Sequence, residues 1–117
     1  VDKSEVSRWG IVQKKNKKKR YFQISDVVEK PSIKYAPSNF AIIGRYILPK
    51  SIFKELKLLK PGKGNEIHIT DAIKNLIKSG EKFHGNIFKG KYLDCGTLKG
   101  YINSSLEMAK YLWNFAW

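Results

Sequence analysis

The sequence is poor in cysteine, arginine, histidine and acid, and each shortage excludes something. Cys95 is the one cysteine among 117 residues, so no internal disulfide can form, and a reducing compartment, the cytoplasm, is the simpler expectation. Arginine stands only at Arg8, Arg20 and Arg45. Proteins that read base edges lean on arginine's bidentate fork, so nucleic acid is not an expected partner. His68 and His84 are isolated, with no second histidine or cysteine at ligand spacing, which argues against a zinc site. No apolar run approaches the roughly 20 residues that cross a bilayer, and no signal-peptide pattern opens the chain. A membrane is therefore not expected either. The chain opens on Val1 rather than methionine, which reads as a processed chain or a piece of a longer one.

What is present describes a folded chain. Hydrophobic residues make up 42% and aromatics 13%, too much for a disordered tail. The length suits one domain with one core. Acidic residues number 10 against 23 basic ones, a formal net charge of +13. That excess suits an anionic partner, whether a polyanion or a phosphorylated small molecule. Lysine scattered along the whole chain, beside many Ile and Asn, reads equally as a compositional habit.

Residues 9–13 and 21–28 predict two strands, the second rich in β-formers (Tyr21, Phe22, Ile24, Val27, Val28). Between them lies a basic loop, residues 14–20, bounded by Lys14 and Arg20. Pro31 ends the second strand, because proline brings no N–H to the ladder. The run SNFAIIGRYIL predicts a central strand buried on both faces. SIFKELKLL predicts a helix capped by Ser51, with Ile52, Phe53, Leu56 and Leu59 on one side. ITDAIKNLIKSG predicts a short helix capped by Thr70 and stopped by Gly80, with Ile73, Leu76 and Ile77 inward. KFHGNIFKGKYLD gives one or two short strands around Gly90-Lys91. From Thr97 onward an amphipathic helix is expected, with Leu98, Tyr101, Ile102, Leu106, Ala109, Leu112 and Trp113 on its apolar face. The expected fold class is α/β, with a mixed, partly parallel sheet and flanking helices.

Three corners could carry chemistry. In VVEKPS, Glu29 and Lys30 sit side by side where a strand meets its proline stop. Ligands of open α/β sheets gather outside the carboxyl ends of strands. Adjacent residues of extended chain point opposite ways. Glu29 could thus accept hydrogen bonds from vicinal hydroxyls while Lys30 reaches a phosphate, or the two could form a plain solvated pair. In GNEIHITDA, Glu66 could face a ligand or serve the approach to the following helix. His68 reads as packed or exposed, not catalytic. In YLDCGTLKGY, Asp94 is expected to end a strand, and the Thr97 helix presents free N–H groups behind it. One carboxylate with phosphate oxygens and waters is an ordinary way to hold Mg²⁺. The plainer alternative is an aspartate serving a turn. Cys95 reads as packing, with no histidine base nearby in the sequence.

VVEKP, APSNFAIIGRYIL, KPGKGNEIHITDAI and YLDCGTLKGY occur in that order over nearly the whole chain. Together they resemble the bacterial UTP–glucose-1-phosphate uridylyltransferases. The resemblance implies a partial Rossmann-like nucleotidyltransferase fold, residues 1–117 forming a single back segment of that domain. It implies formation of UDP-glucose and pyrophosphate from UTP and glucose 1-phosphate, with Mg²⁺. It implies that Glu29 holds glucose hydroxyls, that Lys30 binds the sugar phosphate and acts in catalysis, and that Gly10 leaves room for the sugar. It implies that Asp94 acts in catalysis by binding the metal. The family's glycine-rich nucleotide loop has no counterpart among the nine scattered glycines. The expectation is therefore the sugar-phosphate side of the enzyme, inactive without a nucleotide-binding front half. It would work as a homo-oligomer or with a complementing N-terminal half. Trp9 stands where the family carries a tyrosine, and His68 where it carries a glutamine. The alternative is a non-enzymatic basic module that binds polyanions through residues 14–20. The tail YLWNFAW holds too many large apolar groups for a free terminus, which implies packing on the chain's own sheet or on a neighbouring subunit.

Overall fold

The computed structural model describes residues 1–16 and 20–113, and for Lys63 the backbone alone. Lys17, Lys18 and Lys19 of the basic loop lie outside the described residues, as do Phe115 and Trp117 of the tail. The chain forms two compact units, Val1–Ile87 and Phe88–Trp117.

The first unit is a small sheet covered by two helices. Strands β1 (Gly10–Lys14), β2 (Tyr21–Glu29) and β3 (Phe83–Asn86) form a three-stranded sheet in the order β1-β2-β3. Both pairings are antiparallel. The α/β class stands, but among the described residues the sheet is not the mixed one expected. The reason lies in SNFAIIGRYIL. Only its start reaches the sheet, where Ala41 bridges Ile11 antiparallel at the outer edge of β1. Val12 N–H donates to the Phe40 carbonyl at 3.0 Å, and Ile42 N–H to the Gly10 carbonyl at 2.8 Å. Gly44, at φ +80, then takes the chain out of the extended conformation. Ile47 beyond it is fully exposed.

Helix α1 (Ile52–Leu58) packs on α2 (Ile69–Lys78), and α2 packs on β2. Val12, Phe22, Val27, Ile52, Ala72, Ile73 and Leu76 make the core, with Leu56, Leu59 and Ile77 against it. Phe53, expected inward, is exposed. Neither expected helix cap forms. The Ser51 hydroxyl donates to Glu81 Oε1 at 2.8 Å instead of to its own helix. Thr70 lies inside α2, one residue past its start, and its hydroxyl goes elsewhere. Gly80 does stop α2: at φ +100 it donates to the Ile77 carbonyl, and Glu81 N–H reaches back to Leu76.

The sheet contains one irregularity, a bulge in β2. The register slips between Gln13 and Lys14, which pair with Asp26 and Ile24, so Ser25 is an extra residue in β2. Before it, the core side of β2 carries Phe22 and Ile24; after it, Val27. A bulge breaks the two-residue alternation and re-aims every later side chain. Glu29, two residues past Val27, thereby falls on the side of β2 that α2 covers.

In the second unit, α3 (Leu98–Trp113) follows a stretch without regular structure. The strand expected to lead into Asp94 does not form among the described residues. Thr97, expected as the start of the helix, instead stands just before α3 as its cap, its Oγ1 accepting the Gly100 N–H at 3.0 Å. Gly100 is required, since a Cβ there would collide with the Asp94 carbonyl. Lys91 and Lys110 both pair with Glu107, and the hydrogen bond from Lys91 is the first cause holding that carboxyl below its usual range. The apolar face expected on α3 is exposed: Leu98, Tyr101, Ile102, Leu106, Leu112 and Trp113 all lie open, and Ser104 is the buried residue.

Candidate functional site

The carboxyl end of β2 brings together Gly10, Glu29 and Lys30, with Thr70, His68 and Tyr46 around them. Glu29 is the last residue of β2 and pairs across the ladder with Gly10. Its side chain is only 14% exposed, so its charge needs partners. Oε2 accepts the Thr70 hydroxyl at 2.7 Å. Oε1 faces two cationic or potentially cationic groups, Lys30 Nζ and His68 Nδ1, each at 3.8 Å.

Lys30 departs from the expected geometry. It is not extended: φ is +41, in the left-handed region that side chains other than glycine rarely adopt. Its N–H donates to the Trp9 carbonyl at 2.9 Å, which holds that turn. Extended neighbours would diverge; the turn instead returns the ammonium to its neighbour's carboxylate. The acid and base of VVEKP converge on one place. Strain of this kind, costing on the order of 1–2 kcal/mol, clusters at binding sites.

Gly10 is needed because of what packs over it. A Cβ at Gly10 would lie 2.7 Å from Thr70 Cγ2 and 3.1 Å from Glu29 Oε2. Thr70 and Glu29 can touch because residue 10 has no side chain. His68 is nearly buried and sits between two carboxylates, with Nε2 3.9 Å from exposed Glu66. The Tyr46 phenol is held above its ordinary pKa, first by burial and then by the Glu29 charge. The sequence did not point to the Thr70 hydrogen bond or to the influence of Glu29 on Tyr46. The spacing of VVEKP and HITDA contains no hint that a bulge would join them.

Asp94 lies in the second unit. Its Oδ1 accepts the Gly96 N–H at 2.9 Å, the turn geometry considered from sequence alone. Among the described residues, no group of three or more His, Cys, Asp or Glu side chains gathers as a metal cage. Asp94 is a half-buried carboxylate, a hard oxygen donor of the type that could join phosphates and water around Mg²⁺.

The described ends of the basic loop are engaged within the protein. Lys14 Nζ lies 4.5 Å over the Phe22 ring and 4.3 Å over the Phe40 ring. Arg20 Nε donates to the Ile87 carbonyl at 3.1 Å. Among the described residues, no helix is long and apolar enough to cross a membrane.

Known proteins resemble this chain over most of its length. A UTP–glucose-1-phosphate uridylyltransferase of Pseudomonas aeruginosa is 42% identical over 105 residues, 90% of this chain and 37% of that protein. Another, from Streptococcus pyogenes, is 42% identical over 110 residues, 93% of this chain and 36% of that protein. The crystal structure of a UDP-glucose pyrophosphorylase complexed with UDP-glucose superposes with a TM-score of 0.87 at 44% identity, over 95% of this chain and 42% of that one. The chain thus spans well under half the length of these relatives. The nucleotidyl transferase family profile matches residues 1–111, and the chain belongs to that family.

Proposed function

We propose that this chain carries the sugar-phosphate side of a UTP–glucose-1-phosphate uridylyltransferase. The observation that carries the reading is the convergence of Glu29 and Lys30 at the end of β2, 3.8 Å apart, in a chain so similar to such enzymes. An anchored carboxylate suits vicinal sugar hydroxyls, which donate to it. An ammonium on a flexible stem, 40% exposed, suits a phosphate. The two groups side by side match a molecule with hydroxyls and phosphate on neighbouring carbons, as in glucose 1-phosphate.

In the reaction, a phosphate oxygen of glucose 1-phosphate attacks the α-phosphorus of UTP, and the bond to pyrophosphate breaks. The protein's task is to hold the nucleophile in line and offset its charge. Glu29 fixes the ring, and Lys30 steadies the attacking phosphate. Mg²⁺, when held by Asp94, would neutralise phosphate charge. No glycine-rich phosphate loop occurs in these 117 residues, so nucleotide binding would rest on other residues. The chain by itself is then inactive. The single cysteine fits a cytoplasmic setting. The exposed apolar side chains of α3 support a homo-oligomer or a covering partner segment.

Titration of the 117-residue chain with glucose 1-phosphate, followed by NMR, tests the reading. Binding is expected, with Lys30→Ala weakening it about tenfold or more. No binding, or equal binding by Lys30→Ala, would overturn the assignment. A coupled pyrophosphate assay with UTP should show no turnover; robust turnover would overturn the inactivity.

A further inference from the structure

The two oxygens of Glu29 have different surroundings, and the difference assigns a task to Thr70. Oε2 is tied to the Thr70 hydroxyl at 2.7 Å. Thr70 is itself 4% exposed and sits in the first turn of α2, packed on the sheet. Its methyl lies 2.7 Å from where a Cβ of residue 10 would be, so its rotamer is confined by the strand beneath. Oε1 faces Lys30 and His68. One oxygen is therefore held by the core of the protein, and the other is turned towards Lys30 and His68.

A carboxylate at the end of a side chain rotates broadly about its last torsion. An untethered glutamate would lose that freedom on binding a diol, and the loss would subtract from affinity. A tether to a buried helix removes the rotation beforehand. Threonine suits this because its β-branched side chain is stiff and its hydroxyl can donate.

We propose that Thr70 is the positioning residue for Glu29, fixing one carboxylate oxygen so that the other meets the hydroxyls of a hexose 1-phosphate. The proposal rests on the sugar-phosphate function for its ligand, but not for the tether itself. Thr70 touches no substrate in this scheme; it acts through Glu29.

The test uses the 117-residue chain and three variants. Thr70→Val keeps the shape and removes the hydroxyl, Thr70→Ser keeps the hydroxyl, and Glu29→Gln reports loss of the carboxylate. Two probes are titrated by NMR: glucose 1-phosphate, and inorganic phosphate, which reads Lys30 alone. Thr70→Val should weaken glucose 1-phosphate about tenfold, the worth of one hydrogen bond to a charged group. It should leave inorganic phosphate within about twofold, and Thr70→Ser should bind both as the parent does. A general loss of structure would weaken both probes together, and that result overturns the proposal. So does a Thr70→Val chain that binds glucose 1-phosphate as tightly as the parent. If the parent binds no glucose 1-phosphate, the sugar reading fails and the tether is judged separately. Side-chain ¹³C relaxation of Glu29 should then show more motion in Thr70→Val than in Thr70→Ser, and equal motion overturns the tether as well.

Discussion

Gly10→Ala is the sharpest probe of the site, because the structure says what the added methyl meets. Its Cβ would lie 2.7 Å from Thr70 Cγ2, 3.1 Å from Glu29 Oε2 and 3.5 Å from Ile42 Cδ1. The first contact is too short for two carbons, so something must move. The backbone of β1 is pinned on both sides, to β2 and to the edge segment through Ile42. Thr70 is buried and can withdraw its methyl only by turning about χ1, which takes the hydroxyl away from Glu29. Overpacking of this kind costs about 1–3 kcal/mol, and a lost hydrogen bond to a charged group falls in the same range. The two are alternatives, since the structure takes the cheaper. For a unit of this size the expected fall in melting temperature is roughly 5–15 °C.

The assay is thermal unfolding followed by circular dichroism, run as a double-mutant cycle with Thr70→Ser. Serine lacks Cγ2, so the clash disappears while the hydroxyl stays. Thr70→Ser alone should cost about 1 kcal/mol for one buried methyl. In the double variant most of the Gly10→Ala penalty should vanish, giving a coupling of about 1 kcal/mol or more between the sites. If Gly10→Ala melts with the parent, or if serine at 70 rescues nothing, then Gly10 does not exist to let Thr70 reach Glu29.

Lys30→Gly separates stability from binding: it relieves the left-handed backbone at φ +41 but costs unfolded-state entropy, so stability should change by less than about 1 kcal/mol while phosphate binding is lost. A joint measurement of melting and inorganic phosphate titration checks this, and retained binding would show that the ammonium is not the phosphate contact. Tyr46 should titrate above its ordinary value, because burial and then Glu29 disfavour the phenolate. Stability that depends on its neutral form is complete below the ordinary phenol range and fades as pH rises through the raised value. Phenolate absorbance, read against Tyr46→Phe, should show a lower midpoint in Glu29→Gln, with the part due to burial remaining; an unchanged midpoint would mean that Glu29 does not act on Tyr46.

Much of the fold was legible because it follows local rules. β1 and β2 lie within a residue of their expected bounds, for their β-formers cluster and Pro31 ends the second. Gly80 stops α2 as any glycine past a last apolar turn would. The errors share a cause, which is that a local pattern does not name its partner. SNFAIIGRYIL is apolar enough for a central strand, yet a strand needs an edge to pair with. Among the described residues only the segment around Ala41 finds one. The apolar face of α3 is present in the sequence, but exposure depends on what covers it, and the described residues leave it open. Ser51 and Thr70 have the composition of caps. Each hydroxyl instead found a carboxylate 30 or more positions away, at Glu81 and at Glu29.

The site depends on one event that the alternation of a strand conceals. Along β2, a regular ladder would keep Phe22 and Ile24 on the core side, followed by Asp26 and Val28. Glu29 would then point away from α2, and Thr70 could not reach it. The extra residue at Ser25 exchanges the two sets, so that Val27 enters the core and Glu29 follows it. Asp26 no longer has to be buried and pairs with Lys74 of α2 at 3.2 Å. The left-handed turn at Lys30 then returns the next residue to the same place. Two departures from regular strand geometry, five residues apart, convert a sequence-adjacent acid and base that ought to diverge into a convergent pair. Neither departure stabilises the strand by itself. On the function proposed above, both serve a small ligand that would present hydroxyls and a phosphate to one end of the sheet.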